Sequence, residues 1–125
     1  MRETITASGA PDAVGPYSHA VKAGGLLFVS GQIPLDPETN ELTGETAAEQ
    51  ATQCLENLAT IAAAAGTDLS QAVKCTVLLT SIADFAEVNE VYGGYFSAEP
   101  PARVAYEVAA LPLNARVEID AVVAL

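Results

Sequence analysis

The feature that most constrains how this chain can fold is a helical pattern at residues 46–65, because specific signals mark both of its ends. Thr46 and Glu49 have the spacing of a capping box, in which a hydroxyl and a carboxylate bond amides left free at a helix start. Gly66 stands where helices commonly end in a left-handed residue. The apolar side chains between these ends follow steps of three and four residues: Ala51, Leu55, Leu58, Ala62 and Ala65. The sequence therefore predicts an amphipathic helix with one buried stripe.

Strand patterns and a second helical pattern surround this helix in a definite order. Runs with strand character occupy residues 3–6, 18–23, 26–30, 73–79, 103–108 and 116–123, and Gly24-Gly25 predicts a hairpin turn between the second and third runs. Residues 84–96 carry a helical pattern with Ser81 as its predicted cap, and their apolar stripe is Phe85, Val88, Tyr92 and Phe96. The order predicts one domain, residues 1–125, with an α+β fold in which both helices pack on one face of a single mixed β-sheet.

The charge balance limits the classes of partner. The chain has 16 acidic and 5 basic residues, and its net charge of -11 repels nucleic-acid backbones and anionic membrane surfaces. We therefore expect no nucleic acid and no membrane as a partner, and the lack of a long apolar run favours a cytoplasmic protein. Cys54 and Cys75 are isolated, which predicts two buried thiols rather than a disulfide. With a single histidine, we expect no metal site.

Alternation along the strands indicates what covers the second face of the sheet. In the run at 103–108, Val104 and Tyr106 fall on one side, whereas Arg103, Ala105 and Glu107 fall on the other. The run at 26–30 is apolar on both sides, which is typical of a strand covered on both faces. A helix-free face that combines apolar side chains with Arg, Ser and Glu favours an interface or a site, so the sequence predicts a homo-oligomer.

Four segments have the residue types and the spacing of one known family. They are Gly-Pro-Tyr-Ser at 15–18, Phe-Val-Ser-Gly-Gln-Ile-Pro at 28–34, Asp-Phe-Ala-Glu-Val-Asn at 84–89, and Pro-Ala-Arg-Val-Ala-Tyr at 101–106 followed by Leu111 and Val-Glu-Ile at 117–119. Through them, essentially the entire chain resembles the RidA (YjgF) family of small hydrolases. The resemblance implies a chorismate-mutase-like fold, assembled as a homotrimer whose sheets form a central barrel, with sites in the clefts between subunits.

The resemblance also implies an activity and a set of site residues. The activity is hydrolytic deamination of reactive 2-imino or enamine acids, such as 2-aminoacrylate released by PLP-dependent enzymes, to a 2-keto acid and ammonia without any cofactor. The implied catalytic residues are Arg103, Glu118, Tyr17, Ser30 and Asn89. The implied substrate-binding residues are Arg103, Tyr17, Gly31 and Ala105, the last at a position that is Cys in many members. In the family the arginine binds the substrate carboxylate.

This chemistry agrees with the properties of the two charged side chains. A planar guanidinium such as that of Arg103 can hold a carboxylate through two parallel hydrogen bonds. A partly desolvated carboxylate such as Glu118 can position the attacking water and move protons. Both residues have structural alternatives, since Arg103 could form an ion pair with a neighbouring acid such as Glu107, and Glu118 could be balanced by Arg116 or by a partner subunit.

The remaining polar residues have simpler alternatives of their own. Tyr17 could be only an interface aromatic, Ser30 could bond only the backbone, and Asn89 could be a surface residue. Gly31 predicts a close backbone approach or a turn, and His19 is expected at the surface or in core packing. The alternative function is non-catalytic binding of 2-keto acids or other small carboxylates, which would need the arginine but no water-activating acid. RNA cleavage ranks last because of the acidic charge.

Overall fold

The computed structural model describes residues 1–125. Its strands are β1 (Arg2–Ile5), β2 (Ala20–Ala23), β3 (Leu26–Gln32), β4 (Ala72–Leu79), β5 (Ala102–Glu107) and β6 (Val117–Ala124). Its α-helices are α1 (Ala47–Ala64) and α2 (Phe85–Tyr95), and short 3-10 turns occupy Leu69–Gln71, Ile82–Asp84 and Pro112–Asn114. Each predicted strand and helix is confirmed, with bounds that differ by one or two residues from the predicted ones.

The six strands form one mixed sheet in the order β1-β2-β3-β6-β4-β5. Strands β4 and β5 pair in parallel, and all other neighbours pair antiparallel. Gly24 and Gly25 close the predicted β2–β3 hairpin with φ angles of 58° and 78°, a region that glycine enters without a steric cost. The predicted α+β class with a single mixed sheet is therefore confirmed.

Helix α1 begins and ends as its sequence predicts. The hydroxyl of Thr46 accepts a hydrogen bond from the amide of Glu49 at 3.1 Å, and the carboxylate of Glu49 accepts one from the amide of Thr46 at 3.0 Å. Gly66 follows the helix with a φ of 89°, so the left-handed ending is also present. The apolar stripe of α1 packs on β3 and β6 and is fully buried along most of its length. Burial of this kind stabilises the fold by about 25 cal/mol for each Å² of apolar surface removed from water.

Helix α2 packs beside α1, but it begins differently from the prediction. Ser81 precedes the turn Ile82–Asp84 and makes no capping bond through its side chain, so its predicted role as a cap is wrong. Glu87, in the first turn of α2, bonds the start of the neighbouring helix α1, since its Oε2 accepts a hydrogen bond from the amide of Ala48 at 3.2 Å. A carboxylate is favoured there because helix N-termini carry a partial positive charge. One of the amides left free at the start of α1 is thus hydrogen-bonded by a side chain of α2.

The two faces of the sheet are covered differently. On the face that carries the helices, alternate residues of β4 and β6 are buried, namely Cys75, Val77, Leu79, Val117, Ile119, Ala121 and Val123. On the opposite face, Phe28, Val104 and Tyr106 keep 46%, 42% and 50% of their surface exposed. An open face with this apolar content is what a homo-oligomer would cover, and the oligomer itself stays a prediction.

Two further predictions concern the cysteines and the helices. Cys54 and Cys75 are both buried and free, as their isolation in the sequence predicts. Neither helix combines the length and the apolar character that crossing a lipid bilayer requires.

Candidate active site

The site residues of β3 and β6 meet at an irregularity in the sheet. The pairing of β3 with β6 shifts register between Val29 and Gln32, so Ser30 and Gly31 form a bulge on β3. The side chain of Glu118 lies directly over Gly31, and a Cβ built on that glycine would overlap Glu118 Oε2. Gly31 therefore marks a close approach, as predicted, but the approaching group is a carboxylate rather than a backbone.

The loop that precedes β2 is fastened to this bulge. Ser30 Oγ donates a hydrogen bond to the carbonyl of Ser18 at 2.6 Å, and the amide of Ser30 donates to the carbonyl of His19 at 3.0 Å. The buried ring of His19 holds the loop from its other side, because Nδ1 accepts from the amide of Ala7 at 2.9 Å and Nε2 lies 2.8 Å from the carbonyl of Pro11. His19 thus belongs to the packed interior, and the loop carries Tyr17 with half of its surface exposed.

These residues border an open cleft of about 630 Å³, which we call the Glu118 cleft and define by Tyr17, Ser30, Gly31 and Glu118. Glu118 is half-buried there, and no basic side chain bonds it. Burial raises the pKa of Glu118 above its ordinary value, and the like charge of Asp120, two residues along β6, raises it further. A carboxyl group with a raised pKa is better suited to accept and return a proton near neutral pH.

Arg103 lies on β5, at the edge of the sheet, and extends along α2. Its Nη1 donates a hydrogen bond to Asn89 Oδ1 at 2.7 Å. Its Cζ lies 5.3 Å from the centre of the Phe85 ring and 4.8 Å from the centre of the Tyr92 ring, within the range of cation–π attraction. A second cleft of about 410 Å³ lies beside the guanidinium, and we call it the Arg103 cleft and define it by Asn89, Tyr92, Pro100 and Arg103.

Within one copy of the chain, neither Arg103 nor Glu118 forms the ion pair that would give it a purely structural role. Glu107 accepts a hydrogen bond from the amide of Ile82 at 2.8 Å and does not pair with Arg103. Arg116 turns away from Glu118, since its Nη2 lies 3.4 Å from Asp84 Oδ2 and its Nη1 donates to the carbonyl of Glu45 at 3.0 Å. Arg116 is therefore occupied by the fold, whereas the charge of Arg103 has no acidic partner.

The two clefts lie on opposite faces of the sheet, which corrects one prediction. Arg103 is in register with the buried Cys75 and so points to the face that carries the helices, whereas the sequence placed an arginine with Ser30 and Glu118 on the helix-free face. Glu118 is in register with Leu78 and points to that helix-free face. The two clefts have no lining residue in common. One copy of the chain therefore does not bring Arg103 and Glu118 together.

The other predicted site residues divide between the same two places. Tyr17, Ser30 and Gly31 accompany Glu118, and Asn89 accompanies Arg103. Ala105 points to the helix face, packs against the core beside β4, and lines neither cleft. The sequence interpretation missed the contact of Phe85 and Tyr92 with Arg103. A signal was present, because Phe85, Asn89 and Tyr92 are spaced to share one helix face.

A single mixed sheet with two helices on one face places the chain among small single-domain α+β proteins. Over residues 7–125 the chain matches the family model described as Endoribonuclease L-PSP. It therefore belongs to the RidA (YjgF) family, as the sequence motifs predicted.

Individual relatives agree with this membership. The chain is 61% identical over 125 residues to a RutC family protein of Sinorhizobium fredii, covering 100% of this chain and 99% of the relative. It is 48% identical over 122 residues to the human protein named 2-iminobutanoate/2-iminopropanoate deaminase, covering 98% of this chain and 89% of the relative. The crystal structure of RidA from the Antarctic bacterium Psychrobacter sp. superposes with a TM-score of 0.94 at 46% identity, covering 98% of this chain and 99% of that chain.

Proposed function

We propose that this protein hydrolyses reactive 2-imino acids to 2-keto acids and ammonia. The observation that carries the proposal is that the Arg103 side chain has no acidic partner. In a chain with 16 acidic residues, its guanidinium bonds an amide oxygen and contacts two aromatic rings, but no carboxylate. An arginine left without an acid can take the carboxylate of a ligand through two parallel hydrogen bonds. Relatives that are named imine deaminases at 48% identity support this reading of the ligand.

The complete site is proposed to form between two copies of the chain. Because Arg103 and Glu118 point to opposite faces of the same sheet, each needs the other from a partner. A homotrimer would cover the exposed apolar side chains of the helix-free face, and its closed ring would repeat the same junction at every subunit boundary. The Arg103 cleft of one protomer would then face the Glu118 cleft of the next.

The proposed reaction balances without any group beyond water and these side chains. Arg103 holds the substrate carboxylate, so the neighbouring C2 atom of the imine is presented in one orientation. Water adds its oxygen to C2 of the protonated imine and gives one proton to the Glu118 carboxylate, which forms a neutral carbinolamine. The protonated Glu118 returns that proton to the nitrogen. The C–N bond then breaks while the Glu118 carboxylate takes the hydroxyl proton, so that the C=O bond of the 2-keto acid forms, ammonia leaves, and Glu118 passes the proton to the departing ammonia. The raised pKa of Glu118 suits these transfers.

The remaining residues have supporting roles in the proposal. The Tyr17 hydroxyl would orient the substrate, and Ser30 Oγ, which already donates its proton to the carbonyl of Ser18, would accept a hydrogen bond from the water. Gly31 would leave room for the Glu118 carboxylate. Asn89 holds the guanidinium of Arg103 through its amide oxygen. Ala105 would contribute only a small apolar surface, because an alanine offers no reactive group.

Mixing two inactive variants tests both the reaction and the shared site. We would generate imines with an amino-acid oxidase or a PLP-dependent dehydratase and follow release of the keto acid in the presence of wild-type protein, Arg103→Ala or Glu118→Ala. Each variant alone is expected to be inactive. After the two are unfolded and refolded together in equal amounts, about a quarter of the junctions combine an intact Arg103 with an intact Glu118, so about a quarter of the wild-type activity should return.

Each other outcome has a distinct meaning. Full activity of Arg103→Ala would exclude the proposed anchor. Inactive single variants that gain nothing on mixing would contradict the shared site. Wild-type protein that binds pyruvate but does not accelerate imine hydrolysis would favour the binding function, in which Glu118 has no chemical role.

A further inference from the structure

The ring of Tyr92 contacts the proposed substrate anchor, and its place in the apolar stripe of α2 does not require this. The ring centre lies 4.8 Å from Arg103 Cζ, and the ring of Phe85 lies 5.3 Å from the same atom. We infer that Phe85 and Tyr92 are positioning residues whose rings fix the direction in which Arg103 presents its free N–H edge to a carboxylate. The inference rests on the proposed function and concerns how the anchor is held.

The helix supplies all the contacts of the guanidinium from one face. Phe85, Asn89 and Tyr92 are separated by four and three residues, a spacing that aligns side chains along one side of an α-helix. Strand β5 runs beside β4, so that Arg103 is in register with Cys75 and its side chain reaches this helix face. Two rings and one amide therefore come from a single rigid element, which limits how far the guanidinium can turn.

The chemistry of these contacts leaves the charge of Arg103 available. Aromatic rings attract a guanidinium through its flat face and accept none of its in-plane hydrogen bonds in the way a carboxylate does. Asn89 accepts from one nitrogen, Nη1, and remains neutral. Arg116 shows the contrast, since Asp84 and the carbonyl of Glu45 take both of its terminal nitrogens. Rings and an amide can orient Arg103 without competing with an anionic ligand.

The hydroxyl of Tyr92 indicates that the position uses the ring rather than the oxygen. Tyr92 is 5% exposed, and its hydroxyl meets the geometric criteria for a hydrogen bond with no group, although the weakly bonding thiol of Cys75 lies next to it. Burial raises the pKa of Tyr92, and the adjacent thiol of Cys75 raises it further. A buried hydroxyl without a partner reduces stability, so Phe would be tolerated at this position if only the ring were needed. The pair Tyr92→Phe and Tyr92→Leu therefore separates the two parts of the side chain.

The first test measures KM, kcat and the dissociation constant of pyruvate in four variants. Tyr92→Leu and Phe85→Leu should each raise KM and the pyruvate dissociation constant by about tenfold, the scale of one cation–π contact, with a smaller change in kcat. Tyr92→Phe, which keeps the ring, should have the same KM and the same pyruvate dissociation constant as the wild type. Tyr95→Leu is the matched control, because Tyr95 lies on the same helix, donates to Glu56 at 2.5 Å and does not contact Arg103. It should lower the melting temperature without changing KM.

The second test uses NMR to detect the aromatic rings beside the Arg103 side chain and requires no activity assay. The chain has three arginines, so the side-chain Nε–H signal of Arg103 can be assigned in an NMR spectrum by comparison with Arg103→Lys. Ring currents should shift the Arg103 side-chain protons upfield, and Tyr92→Leu should reduce that shift whereas Tyr95→Leu should not.

The two tests separate the inference from the proposed function. Unchanged Arg103 signals and an unchanged KM in both Tyr92→Leu and Phe85→Leu would overturn the inference alone. Pyruvate binding that survives in Arg103→Ala would overturn the proposed function, while the NMR shifts would still report whether the rings hold the guanidinium.

Discussion

The two clefts hold opposite charges and are built in different ways. The Glu118 cleft depends on backbone irregularity, since a bulge in β3 and a loop tied to it by Ser30 and His19 make room for the carboxylate. The Arg103 cleft depends on regular structure, since one helix face and an edge strand bring side chains to the guanidinium. In the first cleft a like charge from Asp120 opposes ionisation, and in the second no charge opposes or neutralises the arginine.

This difference shows how one short chain could carry the two halves of the proposed shared site. A carboxylate and a guanidinium on the same face would pair with each other, and the fold would then use the charges for its own stability. Placing them on opposite faces keeps both unpaired within one copy. Complementary charges of this kind also favour the correct pairing of two surfaces. If the two clefts have separate roles, substitutions in each should affect ligand binding, turnover and stability differently.

The largest expected effect separates binding from turnover. Arg103→Ala should abolish detectable pyruvate binding in calorimetry and lower kcat/KM for imine hydrolysis by about a thousandfold or more, because the anchor acts in the ground state and the transition state alike. Glu118→Gln should retain pyruvate binding and lower kcat by about 10² to 10⁴, the usual contribution of a general base. Equal loss of binding in both variants would show that the clefts do not have separate roles.

Much of the fold could be predicted from local patterns, but the orientation of β5 could not. The ends of α1 and the β2–β3 hairpin follow from Thr46, Glu49, Gly66 and the Gly24-Gly25 turn, which act within a few residues. Alternation in β5 separates the Arg103 side from the Val104 side, but it does not state which side meets the helices. The more apolar side is the one left open here, so burial within one copy was a misleading guide.

The candidate site shows the same limit. The family motifs identified Tyr17, Ser30, Glu118, Asn89 and Arg103, yet their spacing in sequence gave no sign that they divide between two faces. The contact of Tyr92 with Arg103 was also hidden, because helical periodicity indicates that a side chain is buried without naming what it touches.

A smaller effect is expected from a methyl group added to the Glu118 cleft. Gly31→Ala would place a Cβ where Glu118 Oε2 now lies, and Gly31 does not have a positive φ that would strain an alanine. The flexible carboxylate should swing aside, so we expect kcat to fall by about 10-fold to 100-fold with little change in melting temperature. A large fall in melting temperature with normal kcat would contradict this view of Gly31.

Gly94→Ala is the matched control for that substitution. A Cβ on Gly94 meets no atom within 4 Å, the residue lies inside α2, and it borders neither cleft. We expect an increase in stability of about 0.5–1 kcal/mol, because alanine is the better helix former, with kcat unchanged.

The smallest effect concerns the stability cost of keeping Glu118 unpaired. Burial, and then Asp120, raise the pKa of Glu118 in the folded protein, so between the ordinary pKa of a glutamate and this raised value the folded state holds more protons than the unfolded state. Stability from this group is therefore present at low pH and is lost as pH rises through the raised pKa. Glu118→Gln removes the dependence, so its melting temperature should exceed that of the wild type at pH 7 and approach it near pH 4. Glu99→Gln, at an exposed loop position, controls for the loss of one negative charge from a chain with a net charge of -11. Two results would contradict this view. The melting-temperature difference between Glu118→Gln and wild type could be the same at both pH values, or it could be no larger at pH 7 than that of Glu99→Gln. In either case the ionised Glu118 would not lower the stability of the folded protein.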